Sequence, residues 1–245
     1  DVETTGLNKF TDMITEIGAV RIENGREVAE FSQLINPGRP IPEKVVELTG
    51  ITDAMVRDKP AIDQVIRSFE EFCKGAVLVA HNASFDMAFF KRAFEENGLD
   101  FDYPMMDTLT LVRNQYPEFK SYKLGNMCKQ LGIRLVNAHR AVNDARATGQ
   151  MLLKVMGDVV EQHDIERLDQ LNEIYTGDAG GKSYHIILLA ATQEGMASLN
   201  RLVSEGHLHY FNRRPRMPRG LIRKYREGLI IGSACESGEL FRAMV

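Results

Sequence analysis

Apolar residues recur along this chain with a period of two in some stretches and of 3.6 in others. Ile14 to Ile22 alternates through Ile14, Glu16, Ile17, Ala19, Val20, Arg21 and Ile22, which predicts a strand. Asn24-Gly25 marks a tight hairpin, and Arg26 to Ile35 returns as the partner strand. Asp1-Val2-Glu3 reads as the last part of an earlier strand, cut short. Pro37, Pro40 and Pro42 predict an irregular connection. Short helices are expected at 43–49 and 52–58, the second with Thr52 as N-cap and Asp53 in its first turn. Ile62, Val65, Ile66, Phe69 and Phe72 keep helical spacing through 61–74, and Gly75 stops that helix. The run Ala76 to Ala80 is short enough for a buried strand. Helices follow near 84–97, 107–116, 123–131 and 140–157, with an amphipathic stretch to about Ile174. Strands first, then strands alternating with helices, is an α/β signature with a mixed sheet.

Tyr175 to Lys182, with three glycines, is the expected linker. Beyond it the pattern predicts a strand (Ser183 to Ala190), a helix (Gln193 to Ser204), an Arg/Pro stretch (Arg213 to Arg219) and a helix–strand pair ending at Ile231. This tail is small for an autonomous core, so an incomplete second domain is expected. At 245 residues the chain as a whole holds one large domain or two modest ones. Its longest apolar run, Ile186 to Ala191, is far below the ~20 residues of a membrane helix. Three scattered cysteines supply neither a disulfide framework nor a cysteine-rich zinc site, and no signal peptide is visible. A reducing, cytoplasmic setting is therefore expected. Charge is uneven: residues 177–245 hold ten Lys and Arg against six acids, which leaves −8 of the net −4 on residues 1–176. An acidic body normally argues against polyanion binding, except where carboxylates hold the cations that meet the phosphate.

Four acids and one histidine carry the chemistry. Asp1 and Glu3, one position apart on a strand, leave the same face of the sheet. Adjacent carboxylates repel unless a cation lies between them, and an all-oxygen set suits Mg²⁺ or Mn²⁺. Thr4-Thr5-Gly6 follows, where Gly permits close backbone approach. His81-Asn82-Ala83-Ser84-Phe85-Asp86 stands at the carboxyl end of the apolar strand, where α/β sheets place ligands. In His139-Arg140-Ala141-Val142-Asn143-Asp144 the five-residue spacing keeps the histidine and the acid off one helical face. Asp144 is then expected in the first turns of the helix and His139 in the loop before it, free to act as a general base. Taken singly, each motif is more at home in a structural role: Asp1 and Glu3 on a wetted edge strand, Asp86 as a first-turn acid favoured by the helix dipole, and His139 as a surface or hydrogen-bonded histidine.

Together and in this order, Asp-x-Glu-Thr-Thr-Gly, His-Asn-x-x-Phe-Asp and His-x-x-x-x-Asp resemble the DEDDh 3′→5′ exonucleases. The likeness spans residues 1–174 and implies a ribonuclease-H-like fold with a mixed five-stranded sheet. It also implies two Mg²⁺ or Mn²⁺ ions held by Asp1, Glu3, Asp86 and Asp144, with His139 acting on the attacking water. Thr4, Thr5, Gly6, Asn82 and Phe85 become candidate substrate contacts. Leu48-Thr49-Gly50-Ile51-Thr52-Asp53 and Ala80 to Met87 are similar to the exonuclease segment of PolC-type replicative DNA polymerase III alpha subunits. There the exonuclease interrupts a polymerase-and-histidinol-phosphatase (PHP) domain, whose resumption residues 183–245 resemble, notably in Gly232 to Leu240. The resemblance implies proofreading hydrolysis at single-stranded DNA 3′ ends. The partners it implies are the rest of a polymerase chain and replisome subunits such as the sliding clamp, with no membrane. The rival readings are a standalone DEDDh nuclease acting on RNA or DNA, and a catalytically silent scaffold.

His185 matches a PHP metal position, and is a candidate ligand whose partners lie elsewhere. His207 and His209 form a His-x-His without its expected context and are read as non-ligands. Cys128, spaced helically with Leu124, Met127 and Leu131, is read as core, as is Cys73. The Arg213–Arg226 stretch suits DNA backbone, a solvated surface or an interdomain contact. A free α-amino group at Asp1 would place a positive charge where a cation should bind, so weaker metal binding and lower stability are expected than for a chain extended upstream.

Overall fold

A computed structural model describes residues 1–163, 184–212, 214–217 and 219–244. They fall into two compact units, Asp1–Gly157 and Asp158–Val245. The expected linker at 175–182, and the end of the expected first domain up to residue 174, lie outside the described residues.

In the first unit, β1 (Val2–Thr4), β2 (Ile14–Glu23) and β3 (Arg26–Leu34) form an antiparallel sheet in that order. Asn24 and Gly25, both at positive φ (50° and 75°), make the turn between β2 and β3. Two positive φ values in succession are what a right-twisted hairpin demands, and Asn-Gly adopts them at least cost. The helices α1 (Glu43–Thr49), α2 (Asp53–Val56) and α3 (Ile62–Cys73) follow. Then come β4 (Leu78–Ala80), α4 (Ala83–Glu96), β5 (Met105–Asp107), α5 (Thr108–Gln115), α6 (Leu124–Leu131) and α7 (Ala141–His163).

The strand β2 is buried on both faces, and its two faces meet different helices. Ile17 and Ala19 join the core supplied by Ile66 and Phe69 of α3 and by Phe89, Phe90 and Phe94 of α4. Phe69 stacks on Phe90 with centroids 4.6 Å apart. Each such side chain contributes roughly 1.5–3 kcal/mol by leaving water. On the opposite face Gly18 meets the start of α7, where an added Cβ would lie 2.0 Å from the Val142 nitrogen. Further along, Gly149 of α7 lies against Ile22 and Val20. Glu16, which alternates with Ile17, therefore faces α7, and its cross-strand partner Glu3 shares that face.

The sheet differs from the expected five-stranded one. Among the described residues, β4 and β5 pair in parallel as a separate two-stranded sheet. β1 is only three residues long, and the Val2 N–H donates to the Asp86 carboxylate at 3.0 Å. A side chain thus takes the donor that a neighbouring strand would have used.

In the second unit, β6 (Ile186–Ala190) pairs antiparallel with β9 (Leu229–Ser233). Between them lie α8 (Gln193–Leu208), the short β7 (Phe211–Asn212) and β8 (Arg214–Pro215) pair, and α9 (Arg219–Lys224), and α10 (Glu239–Met244) follows β9. The Thr192 hydroxyl caps α8 by accepting from Gly195 N–H. Among the described residues, no helix is long and apolar enough to cross a membrane.

Candidate active site

Three elements bring the candidate acids to one corner. β1 supplies Glu3 on the α7 face, and Asp1, just before the strand, pairs with Gly18 through reciprocal backbone bonds of 2.9 and 3.0 Å. α4 supplies Asp86, and α7 supplies Asp144 in its first turn. Ligand atoms of Glu3, His139 and Asp144 all lie within 4.8 Å of one another, the one such His/Cys/Asp/Glu group among the described residues. Asp1 and Asp86 stand outside this tightest cluster.

The electrostatics of the corner are strained. Burial pushes the Glu3 carboxyl up to about 7, and the Asp144, Glu16 and Asp86 carboxylates push in the same direction. Asp86, 3% exposed, is raised chiefly by burial, against which the Val2 N–H works. Asp144 is also raised by burial, against the hydrogen bond its Oδ2 accepts from the His139 N–H at 3.1 Å. Its other oxygen, Oδ1, is buried with no hydrogen-bond partner. A buried carboxylate oxygen without a partner, in a cluster of acids, is unfavourable unless a cation answers it. The donor set, carboxylates with one imidazole, fits a divalent metal ion. His139 lies outside α7, exposed, with φ 65°.

The candidate substrate contacts are placed less uniformly. The Thr4 hydroxyl donates to the Gly6 carbonyl at 2.6 Å, and the Thr5 hydroxyl donates to Asp12 at 3.3 Å while accepting from Met13 N–H. Both threonines are buried, and both hydroxyls act within the β1–β2 loop. A Cβ on Gly6 would meet Asp12 Oδ2 at 2.4 Å, so a larger residue there would have to displace the Asp12 side chain. Phe85 is half-buried against Phe89, with centroids 5.1 Å apart. Asn82, at φ 73°, precedes α4, and its N–H donates to Asp107. Asn82 also lines an open cavity of about 570 Å³ with His81, Arg113, Lys120, Tyr122 and Lys123. His81 spans this wall: its Nε2 lies 2.7 Å from the Tyr122 carbonyl and its Nδ1 3.0 Å from the Thr108 hydroxyl. The carbonyl requires Nε2–H, and burial lowers the His81 pKa, which keeps the ring neutral.

Sequence reasoning missed Glu16, Arg140 and Asp107. Glu16 is fully buried and is gripped by Arg140 and the Ala141 N–H. Asp107 caps α5 through Leu109 N–H and ties its start to Asn82. An acid inside the apolar phrase Ile14 to Ile17 is the one sequence signal that could have flagged Glu16.

A family model described as Exonuclease matches residues 1–152. The chain belongs to the exonuclease family. Over its whole length this exonuclease chain is 46% identical to the DNA polymerase III PolC-type of Bacillus cereus and 47% identical to that of Clostridium perfringens. It spans 17% of the length of each. Among solved structures it is similar to Exonuclease X in complex with 5′ overhanging duplex DNA. That likeness has a TM-score of 0.54 at 29% identity, covering 71% of this chain and 96% of that one. The zinc-bound E. coli ExoI–ssDNA complex superposes with a TM-score of 0.61 at 21% identity, covering 72% and 42%, a likeness of fold. The exonuclease unit is thus α/β and ribonuclease-H-like.

In the second unit His185 bridges to Gly238, with its Nδ1 3.5 Å from the Cys235 sulfur and its Nε2 3.3 Å from an Arg214 nitrogen. His207 Nδ1 lies 2.8 Å from the Val203 carbonyl of its own helix, and His209 lies 3.8 Å from Glu205.

Proposed function

We propose that the chain removes nucleotides from single-stranded DNA 3′ ends as the proofreading exonuclease of a PolC-type replicative polymerase. The observation that carries this reading is the orphaned Asp144 Oδ1 beside a Glu3 carboxyl that burial and neighbouring acids make hard to ionise. Asp1, Glu3, Asp86 and Asp144 would hold two Mg²⁺ or Mn²⁺ ions. When bound, the ions supply Lewis acidity toward the phosphate and neutralise the charge that develops on it. His139, exposed at the rim, accepts the proton of the attacking water through a ring nitrogen. Arg113, Lys120 and Lys123 in the adjacent cavity offer three cations to the backbone of the strand, and Asn82 lies at the same wall. Leu7 and Phe10, exposed at the tip of the β1–β2 loop, offer apolar faces to unstacked bases.

Full-length similarity to polymerases, extending beyond residue 152, supports a place within a replicative chain over a standalone nuclease. On the same ground residues 183–245 are read as a PHP segment, with His185 as its candidate metal ligand. A cytoplasmic setting and contact with the sliding clamp follow from the polymerase assignment. The test is hydrolysis of a 5′-labelled single strand, as DNA and as RNA of the same sequence, with Mg²⁺ or with EDTA. Stepwise shortening of DNA from the 3′ end, lost in EDTA and in Asp144→Ala, is expected. Preference for RNA, or full activity of Asp144→Ala, would overturn the proposal.

A further inference from the structure

The corner contains one acid that the proposed chemistry does not use. Glu16 on β2 is 0% exposed and faces the same side as Glu3, yet both of its oxygens are taken. Arg140 Nε lies 3.2 Å from each oxygen, Arg140 Nη2 donates to Oε1 at 2.7 Å, and the Ala141 N–H donates to Oε2 at 3.0 Å. A carboxylate this deep is tolerated only when paired and hydrogen-bonded, and here every partner comes from two consecutive residues. Those residues link His139 to α7. Ala141 opens the helix, so Glu16 also satisfies one of the N–H groups that a first turn leaves without a partner.

We propose that Glu16 and Arg140 form a positioning clamp that fixes His139 for proton transfer, a role that rests on the reading of His139 and Asp144 given above. His139 sits in the left-handed region at φ 65°, a conformation that non-glycine residues keep only where the surroundings impose it. Two anchors impose it. The Asp144 carboxylate holds the His139 N–H from the helix side, and Glu16 holds Arg140 and Ala141 from the sheet side. With both oxygens occupied, Glu16 is not available as a metal ligand. It touches neither water nor phosphate, and it acts through where the imidazole stands. The Arg140 side chain is 37% exposed, but its loss leaves the buried Glu16 carboxylate with the Ala141 N–H alone, so the Arg140 variants are scored on the fraction that melts cooperatively.

The test uses the 245-residue chain and four variants: Arg140→Gln, Arg140→Lys, His139→Ala and the Arg140→Gln/His139→Ala double variant. Misplacing a reacting group by about an ångström costs on the order of 10²-fold, so kcat of Arg140→Gln should fall ~10–100-fold with KM within about threefold. Lysine lacks the planar fork and should restore little of the loss. In the His139→Ala background the same Arg140→Gln change should cost less than about threefold, because the group being positioned is gone. A merely structural clamp would cost the same factor in both backgrounds. Wild-type kcat in Arg140→Gln, or an equal loss with and without His139, overturns the clamp. Glu16→Gln, buried and more exposed to misfolding, is scored only on the fraction that melts cooperatively, and should match Arg140→Gln. Asp144→Asn separates the two ideas. An inactive Asp144→Asn beside a fully active Arg140→Gln removes the clamp and leaves the nuclease, whereas an active Asp144→Asn removes both.

Discussion

In the unit Asp1–Gly157 the buried polar residues include three carboxylates, Glu16, Asp86 and Asp144. In Asp158–Val245 the exposed residues include a run of aliphatic ones. Ile187 and Leu189 of β6 and Ile230 of β9 are 46%, 55% and 58% exposed, and their neighbours Ile186 and Ile231 are 41% and 44% exposed. Each unit thus breaks the usual rule of sorting, in opposite directions. The first can do so because its acids are individually answered: Glu16 by a guanidinium and an amide, Asp86 by the Val2 N–H, and Asp144 by the His139 N–H on one oxygen. Among the described residues the second has a two-stranded sheet as its largest, and two strands do not enclose a core. Buried charge here is held by specific donors, and the exposed apolar strands belong to a sheet of two strands among the described residues.

The comparison is broken most directly by removing an acid. Asp144→Ala or Asp86→Ala should lower magnesium-dependent hydrolysis by at least ~10²–10³-fold, measured as initial rates on single-stranded DNA. Gly18→Ala comes next. Its Cβ would overlap the α7 backbone at 2.0–2.1 Å, so the helix must move and the fold should lose about 1–3 kcal/mol, read from urea midpoints.

The corner's pH dependence sharpens the contrast further. Glu3 holds its proton up to about 7 in the folded state, against an ordinary value of 4.5. The folded form therefore binds more protons than the unfolded chain between those values. That stability is fully present below 4.5 and is lost as pH rises through 7. The melting temperature in EDTA should fall between pH 5 and pH 8, and saturating Mg²⁺ should reverse the trend. A flat profile in EDTA would show that Glu3 is not so confined. The smallest effect belongs to the second unit: His185→Ala should leave the DNA hydrolysis rate within about twofold, since the exonuclease corner is built from residues 1–144.

Much of this corner was legible because its residues sit in short motifs. Asp1 lies two residues from Glu3, His139 five from Asp144, and Asp86 closes the motif that starts at His81, and spacing alone put His139 in the loop and Asp144 on the helix. The hairpin at Asn24-Gly25 was legible for the same local reason. What escaped was non-local. Met105-Met106-Asp107 has no alternation of its own, and it is a strand because β4 pairs with it in parallel. Glu16 reads as a polar outward position until Arg140, 124 residues later, is seen to cover it. Nothing in the spacing of Thr4 and Thr5, candidate substrate contacts, revealed that Asp12 and the Gly6 carbonyl would take their hydroxyls.

The Glu16–Arg140 contact also sets a schedule. Its ends are 124 residues apart, and the Val2–Asp86 bond closes a loop of 84. Contacts of such range bear their closure entropy before any bond repays it, and they belong late in folding. A nascent chain that has emerged as far as α6 can own its hairpin and its aromatic core, yet holds no assembled nuclease. On the roles proposed for His139 and Asp144, hydrolytic competence arrives only with α7.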